Sequence, residues 1–272
     1  MEKYSDLQVL VAKKADVGRG QRVLDAGTGP GGLLAIRLAE FVGEDGLVVA
    51  LDYEREYISD IKDAIAKSAF SERISFLLAD LRCIPIRSCS IDAAVSLDAV
   101  QNMYGNDLDV EKVVKDYIEE SMRIVKSGRK VVVGTRYPVP RNKAQEVYIE
   151  LRLFESKLEY VLWAEQARYY FEHELVSWFE KAGLQEIQAE IIEHNIPYPR
   201  DPWRIRANDR IKSRLKQVKP HARRVRLEEK YRELLRKLNQ YGEEWLPTLL
   251  LAGTKASKNG QTVLKSKAGV LM

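Results

Sequence analysis

Short apolar runs alternate with amphipathic stretches through the first half of this chain. The runs at 22–25, 47–52, 74–79, 91–97 and 130–135 are rich in Val, Leu, Ile and Ala. Runs that short and that continuously apolar predict strands covered on both faces. Between them, 31–42, 54–68 and 110–125 repeat apolar residues at helical spacing. Gly43-Glu44-Asp45-Gly46 and Ser127-Gly128 break the chain before the second and fifth strands. A helix near 174–182, a strand near 187–192 and a seventh strand over 248–255 complete the pattern. Strand–helix alternation of this kind predicts an α/β fold, a doubly wound sheet with helices on both faces.

Two segments exceed that alternation. In 137–172, Val147, Leu151, Phe154, Leu158 and Val161 recur at spacings of three and four, the stripe of a long amphipathic helix. In 197–247, Leu227, Tyr231, Leu234, Leu238, Tyr241 and Trp245 do the same, and Pro220 separates this helix from a shorter one near 204–218. The stripes fit packing between the two insertions or a homodimer seam.

The first strand runs into the densest chemistry of the chain, Asp25-Ala26-Gly27-Thr28-Gly29-Pro30-Gly31-Gly32. Glycines permit positive φ and close approach of backbone to a ligand, and the first N–H groups of the following helix face whatever sits there. A nucleotide-like cofactor is implied. Gly27, Gly29 and Gly32 also satisfy the dinucleotide pattern, so a nicotinamide-dependent oxidoreductase is a competing class. Asp52 and Asp80 end the second and third strands at the same sheet edge as Asp25. An acid after the second strand suits a ribose diol, and an acid one strand further out suits the donor amino group of adenine. The plain alternative is that both are solvated loop acids.

These segments together resemble the class I S-adenosylmethionine-dependent methyltransferases, especially the small-molecule branch that includes the ubiquinone and menaquinone biosynthesis enzymes. Val23–Gly32 looks like that family's first motif, Val49-Ala50-Leu51-Asp52 like its ribose-binding strand end, and Leu78-Ala79-Asp80-Leu81 like its adenine-binding segment. Ile84-Pro85-Ile86, Ser90–Leu97 and Arg123–Val133 follow in the family's order, and the similarity returns at Leu175–Leu184 and at the last strand. The resemblance implies a Rossmann-like, seven-stranded, mostly parallel sheet and S-adenosyl-L-methionine as cofactor, contacted by Asp25, Gly27, Thr28, Gly29, Asp52, Tyr53, Asp80, Leu81 and Leu97. It divides the chain into a cofactor-binding half (1–136), a helical insertion (137–172), the remainder of the core (173–196), a basic helical insertion (197–247), the last strand (248–256) and a loosely held tail (257–272). With the seventh strand antiparallel, as in that fold, both insertions leave the substrate edge and form a helical cap.

Methyl transfer requires alignment and exclusion of water rather than a fixed catalytic constellation. The segment after the fourth strand, Ser96–Tyr104, lacks the Asn-Pro-Pro-Tyr motif of amino-group methylases. Asp98, Asn102 and Tyr104 are candidates to touch substrate, and His194, after the sixth strand, is a candidate base near neutral pH; packing or capping is the competing role for each. Tyr4, Tyr137, Tyr169 and Tyr170 are candidates for an aromatic wall.

Charge adds one further feature. The chain carries +4 overall, but 203–237 holds 14 Lys or Arg against 4 Asp or Glu, leaving the remainder at −6. That stretch fits a solvated helix face, attraction of an anionic small-molecule substrate, or a grip on RNA phosphates aided by stacking on Trp203, Tyr231 and Trp245. The expected enzyme methylates a small or medium-sized molecule; an RNA or protein methyltransferase and a non-catalytic S-adenosylmethionine-binding module are the alternatives. No run of about 18 apolar residues predicts a membrane span, the first residues lack signal-peptide character, and Cys83 and Cys89 are the only cysteines, without metal-ligand spacing. A cytoplasmic enzyme is expected, with both cysteines packed near the fourth strand.

Overall fold

The computed structural model describes residues 2–103, 105–106, 110–166, 168–198 and 204–257. A seven-stranded sheet forms its centre, built from β1 (Arg22–Ala26), β2 (Leu47–Asp52), β3 (Ile74–Leu78), β4 (Ile91–Leu97), β6 (Val125–Arg136), β8 (Leu184–Ile192) and β9 (Thr248–Lys255). Their order is β3-β2-β1-β4-β6-β9-β8. All neighbouring pairs are parallel except those of β9, which runs antiparallel to both β6 and β8. The chain winds outward from β1 to β3, then returns to place β4 on the other side of β1. That reversal opens a crevice at the carboxyl ends of β1 and β4, the place where sheets of this kind bind ligands. A second, two-residue ladder pairs β5 (Gly105–Asn106) with β7 (Glu165–Gln166).

Each sheet face is covered by its own apolar layer. On one, α4 (Val110–Ile124) and α6 (Glu172–Lys181) supply Tyr117, Ile118, Trp178 and Phe179. On the other, α2 (Leu33–Val42) and α3 (Ile58–Lys67) are joined by α1 (Glu2–Lys14), whose Leu7, Val11 and Ala12 are buried together with Ala15 just beyond it. The sequence pattern did not single out α1. Its apolar residues are interrupted by Gln8 and two lysines, and its amphipathicity shows only once α2 is there to receive it.

Other boundaries move for local reasons. The helix after the glycine turn begins at Leu33 rather than 31, because Gly29, Gly31 and Gly32 all take positive φ. The stretch from 54 starts as a 3-10 turn (Arg55–Tyr57) before α3. The strands expected at 130 and 187 start earlier, at Val125 and Leu184. Cys83 and Cys89 are exposed rather than packed. The tail beyond 257 lies outside the described residues.

The two insertions meet in a cluster of their own. The helices α5 (Lys143–Trp163), α7 (Ile205–Gln217) and α8 (His221–Tyr241) bury Leu151, Phe154, Leu158, Ile211, Leu215, Leu227, Tyr231 and Leu234 against one another. Phe154 stacks on Tyr231 at 5.6 Å. The α8 stripe is shorter than its sequence spacing suggests. Tyr241 is exposed at the helix end, and Trp245 lies beyond the helix and faces the sheet edge. Among the described residues no helix is long and apolar enough to cross a membrane.

Leu234 is 1% exposed. Leu234→Ala is expected to lower stability by about 2–5 kcal/mol, the range for a buried leucine whose neighbours cannot fully collapse. Chemical denaturation of the full chain measures it; a loss below 1 kcal/mol would mean that the helical cluster is not a packed core.

Candidate functional site

The glycine turn is folded by the strand ends beside it. Gly27 and Thr28 donate their N–H groups to the carbonyl of Leu51 at 2.8 and 3.0 Å. Asp52 then reaches across: its Oδ2 accepts from Gly29 N at 2.7 Å and its Oδ1 from Glu54 N at 2.9 Å. A Cβ on Gly27 would stand 2.4 Å from that of Ala99, so this glycine lets the turn lie on the segment after β4. A Cβ on Gly29 would meet nothing within 4 Å. Space stands open beside Gly29 and is closed beside Gly27.

Asp25 is 1% exposed. Thr28 Oγ1 donates to its Oδ2 at 2.9 Å, while Oδ1 is buried without a hydrogen-bond partner. Burial pushes its carboxyl up to about 7. Asp80 is held differently. Both of its oxygens accept from the Arg82 guanidinium, at 2.6–3.0 Å, and this bond keeps the carboxyl below its ordinary range. Leu81 and Leu97 are nearly buried, whereas Tyr53 is 67% exposed. The structure thus brings the three acids, the glycine turn and Leu81 to one edge. An open space beside a positive-φ glycine, a buried acceptor lacking a donor and two further acids suit a ligand with a ribose, a donor amine and a flat base.

Across the crevice stands a group that sequence reasoning missed. Arg136, the last residue of β6, is 1% exposed and is the largest fully buried side chain described. Its Nη2 donates to Asp98 Oδ2. Its Nη1 donates to the Leu246 carbonyl and to Thr248 Oγ1, both at 3.3 Å, and meets His194 Nε2 at 3.1 Å. Its guanidinium lies 4.3 Å from the centre of the Trp245 ring. Asp98 takes positive φ (62°), uncommon outside glycine, and is tied further by Gln101 Nε2, with Tyr4 of α1 close by. The sequence signal was a cation closing the strand that carries the apolar run Val131-Val132-Val133, at the ligand edge.

This geometry corrects the reading of His194. A guanidinium only donates, so Nε2 must accept, and the ring is held neutral. Burial, with Arg136 and Lys3 adding to it, drives its pKa down to about 4. The nitrogen that would serve as base is occupied. Tyr104 and Trp203 lie outside the described residues. Tyr170 is fully buried against Trp178 in the core and belongs to no aromatic wall. Tyr4 does face the site, edge-on to Trp245 at 4.9 Å. Tyr169 is buried near Tyr148 and Arg152. Asn102 accepts from Arg152 Nη2 at 2.9 Å, joining the segment after β4 to α5. A cleft of about 290 Å³ opens between α1 and α2, with Tyr4, Gln8, Leu33 and Arg37 among its walls.

Two measurements test these placements. Asp98→Ala should cost about 3–5 kcal/mol, because it leaves Arg136 buried without its carboxylate; Arg136→Met in the same chain should recover part of that loss. Equal destabilisation in the single and double variants would remove the coupling. For Asp25 the sign follows from its raised pKa, which favours the protonated acid in the fold. Its contribution is complete below the ordinary value of 3.8 and is lost as pH rises to about 7. The stability of Asp25→Asn relative to the parent should therefore climb between pH 4 and about 7 and then level off; a flat difference would contradict the buried carboxyl.

Residues 23–128 match the family model of the methyltransferase domain. No curated protein matches the chain. Among solved structures, YcgJ from Bacillus subtilis is 18% identical, with a TM-score of 0.58 over 92% of this chain and 98% of that one. A phosphoethanolamine N-methyltransferase 2 from Haemonchus contortus, solved with phosphomonomethylethanolamine and S-adenosylhomocysteine, is 16% identical, with a TM-score of 0.54 over 93% of this chain and 53% of that one. A geranyl diphosphate methyltransferase solved with S-adenosylmethionine is 12% identical, with a TM-score of 0.55 over 93% and 85%. At such identities the structural likenesses establish the fold, and the family match is confined to residues 23–128. Over residues 23–128 the chain matches the methyltransferase domain, and its sheet has the fold of solved S-adenosylmethionine-dependent methyltransferases.

Proposed function

We propose that this methyltransferase acts on a small or medium-sized acceptor bearing an anionic group, enclosed beneath a cap formed by α5, α7 and α8. The observation that carries the reading is where the helical cluster is tied down. Arg206 of α7 pairs with Asp60 of α3 at 3.5 Å, Arg152 of α5 reaches Asn102 after β4, and Trp245, following α8, rests on Arg136 and edge-on to Tyr4. The cluster therefore contacts both sides of the crevice. A space so bridged suits a compact acceptor better than a polymer. The anionic character rests on Arg152, whose guanidinium reaches from α5 to the acceptor segment at Asn102. It also accords with the phosphorylated compounds named for two fold relatives, phosphomonomethylethanolamine and geranyl diphosphate.

When bound, S-adenosylmethionine would supply an activated methyl group on its sulfonium, to be taken by the acceptor in line with S-adenosylhomocysteine as the leaving group. The chain's own residues do the rest. In this proposal Asp52 turns from tethering Gly29 to accepting from the ribose hydroxyls, Asp80 and Leu81 hold the adenine, and Tyr53 and Leu97 flank it. Gly27, Thr28 and Gly29 shape the turn, and Asp25 offers its unpaired Oδ1 to the donor amine. Asp98, held by Arg136, orients the acceptor through a hydrogen bond rather than removing its proton. The cap excludes water from the reacting atoms. The RNA-directed reading loses ground because much of the positive stretch is consumed internally: Arg204 pairs with Glu243, Arg210 with Glu155, and Arg214 with Glu155 and Glu159.

A labelled-methyl assay on fractionated cell extract tests the substrate class. Label should enter a small, anion-exchange-retained compound; label confined to RNA or protein would overturn the proposal. Calorimetry tests the cofactor residues. Asp52→Asn should weaken S-adenosylmethionine binding about 10- to 100-fold, the equivalent of a charge-assisted hydrogen bond of about 1.5–3 kcal/mol. Gly29→Ala should weaken binding while the protein stays folded, because the added carbon enters open space at a strained φ. Gly27→Ala should lower the melting temperature as well, because its carbon meets Ala99. Unchanged affinity in Asp52→Asn, or tight binding of NAD by the parent, would remove these assignments.

A further inference from the structure

A polar residue interrupts the buried face of α1 and has no task in the methyl-transfer reading. Gln8 follows Leu7, precedes Val11 by one turn, and is 5% exposed. Its Nε2 is buried and has no hydrogen-bond partner among the described residues, a condition that costs free energy until an acceptor meets it. Arg37 of α2 holds a second such donor. Its Nη1 donates to Glu40 and its Nη2 to Ser5 Oγ of α1 at 2.7 Å, while its Nε is buried without a partner among the described residues. Ser5 and Gln8 stand three residues apart and share one face of α1. The guanidinium that reaches Ser5 therefore lies within about one helical turn of the Gln8 amide. Both residues line the cleft of about 290 Å³ between α1 and α2.

The rest of the cleft limits what can answer these donors. Leu33, Ile36 and the Tyr4 ring supply apolar wall. The charge of Arg37 is already met by Glu40. Two unused donors call for an acceptor oxygen, and matched charges call for an uncharged one. A cleft of this size stands at the lower end of small-molecule sites, with room for one end of a ligand. Tyr4 belongs to the crevice as well as to the cleft, since it lies edge-on to Trp245 at 4.9 Å and close to Asp98. Leu33 opens α2 directly after the glycine turn. The cleft therefore adjoins the place where the acceptor reacts. We propose that this cleft is a second binding site, which takes the uncharged end of the methyl acceptor, a compact apolar group carrying a carbonyl oxygen. Gln8 Nε2 and Arg37 Nε donate to that oxygen; rotation about the last torsion of Gln8, a soft one, aims its amide into the cleft. The acceptor then spans from its anionic group near Arg152 to its carbonyl end beside Gln8. That the occupant is the acceptor rests on the methyl-transfer reading, whereas the cleft and its two donors do not.

Two probes of one shape isolate the donors. Acetophenone and ethylbenzene differ only in the carbonyl oxygen, and each is titrated into the isotopically labelled full chain while NMR follows the Gln8 side-chain amide and the Arg37 Nε–H. Saturable shifts of both signals are expected with acetophenone. Gln8→Leu, which keeps the shape and removes the donor, should weaken acetophenone about five- to tenfold and ethylbenzene less than about twofold. Ser5→Trp, which fills the cleft, should exclude both probes. In the labelled-methyl assay on cell extract, Ser5→Trp should cut label in the small compound at least about tenfold and Gln8→Leu several-fold, because a displaced acceptor loses its alignment. S-adenosylmethionine affinity, measured by calorimetry, should stay unchanged in both variants. If Ser5→Trp fails to fold, Gln8→Leu alone decides. No saturable binding of acetophenone, equal weakening of both probes by Gln8→Leu, or undiminished labelling by the variants would each overturn the proposal. No label with the parent chain would overturn the methyl-transfer reading instead, while label entering equally with parent and variants overturns this one alone.

Discussion

One buried ion pair organises the ligand edge of this protein. Arg136 has left water entirely, a costly step that is sustained only where a carboxylate and further acceptors surround it. Asp98 supplies the carboxylate, and the Leu246 carbonyl, Thr248 and His194 supply the rest. Those partners come from the segment after β4, the approach to β9 and the exit of β8. The pair therefore ties together the ends of β4, β6, β9 and β8, which lie side by side on one half of the sheet. It also holds Asp98 in a left-handed conformation, at the crevice where the chain reverses direction. The strain is supported by the surrounding structure, which is the usual condition for an outlier beside a functional site.

The helical cluster depends on the same point. Its last segment reaches the sheet through Trp245, which packs on the Arg136 guanidinium and on Tyr4. From there the cluster reaches back to α3 through the exposed pair of Arg206 and Asp60, and exposed pairs of this kind contribute little to stability. The apolar contacts inside the cluster are far stronger than its tie to α3. Strong packing within and a weak tie across the crevice suit a cap that admits a ligand without unfolding.

The succession of strands and helices was legible because apolar strands, glycine breaks and three strand-end acids stand in linear sequence, each a local signal, and the resemblance to a known family supplied the antiparallel last strand. The glycine turn was legible too, although its two leading glycines answer to different constraints: Gly27 to contact with Ala99, Gly29 to open space. What escaped was non-local. The α1 stripe has meaning only against α2, and Trp245 lies in helical register with α8 but beyond its end. The part played by Arg136 depends on four segments that meet only in three dimensions. His194 showed the opposite failure. Its position at the sheet edge was visible, but the guanidinium that occupies its Nε2 was not. Net charge was likewise visible as a sum, while its division into paired inward arginines and exposed outward cations needed the fold.

The central claim is that the cofactor lies in the crevice between the ends of β1 and β4, beneath the helical cluster. Hydrogen exchange with and without S-adenosylhomocysteine tests it most directly, because protection reports where backbone amides become ordered or shielded. The account predicts added protection at the glycine turn (27–33), after β2 (52–57), around Asp80 and Leu81, and in α7 over Ile205–Gln217. Protection confined to the cleft between α1 and α2, or no change at the glycine turn, would contradict it.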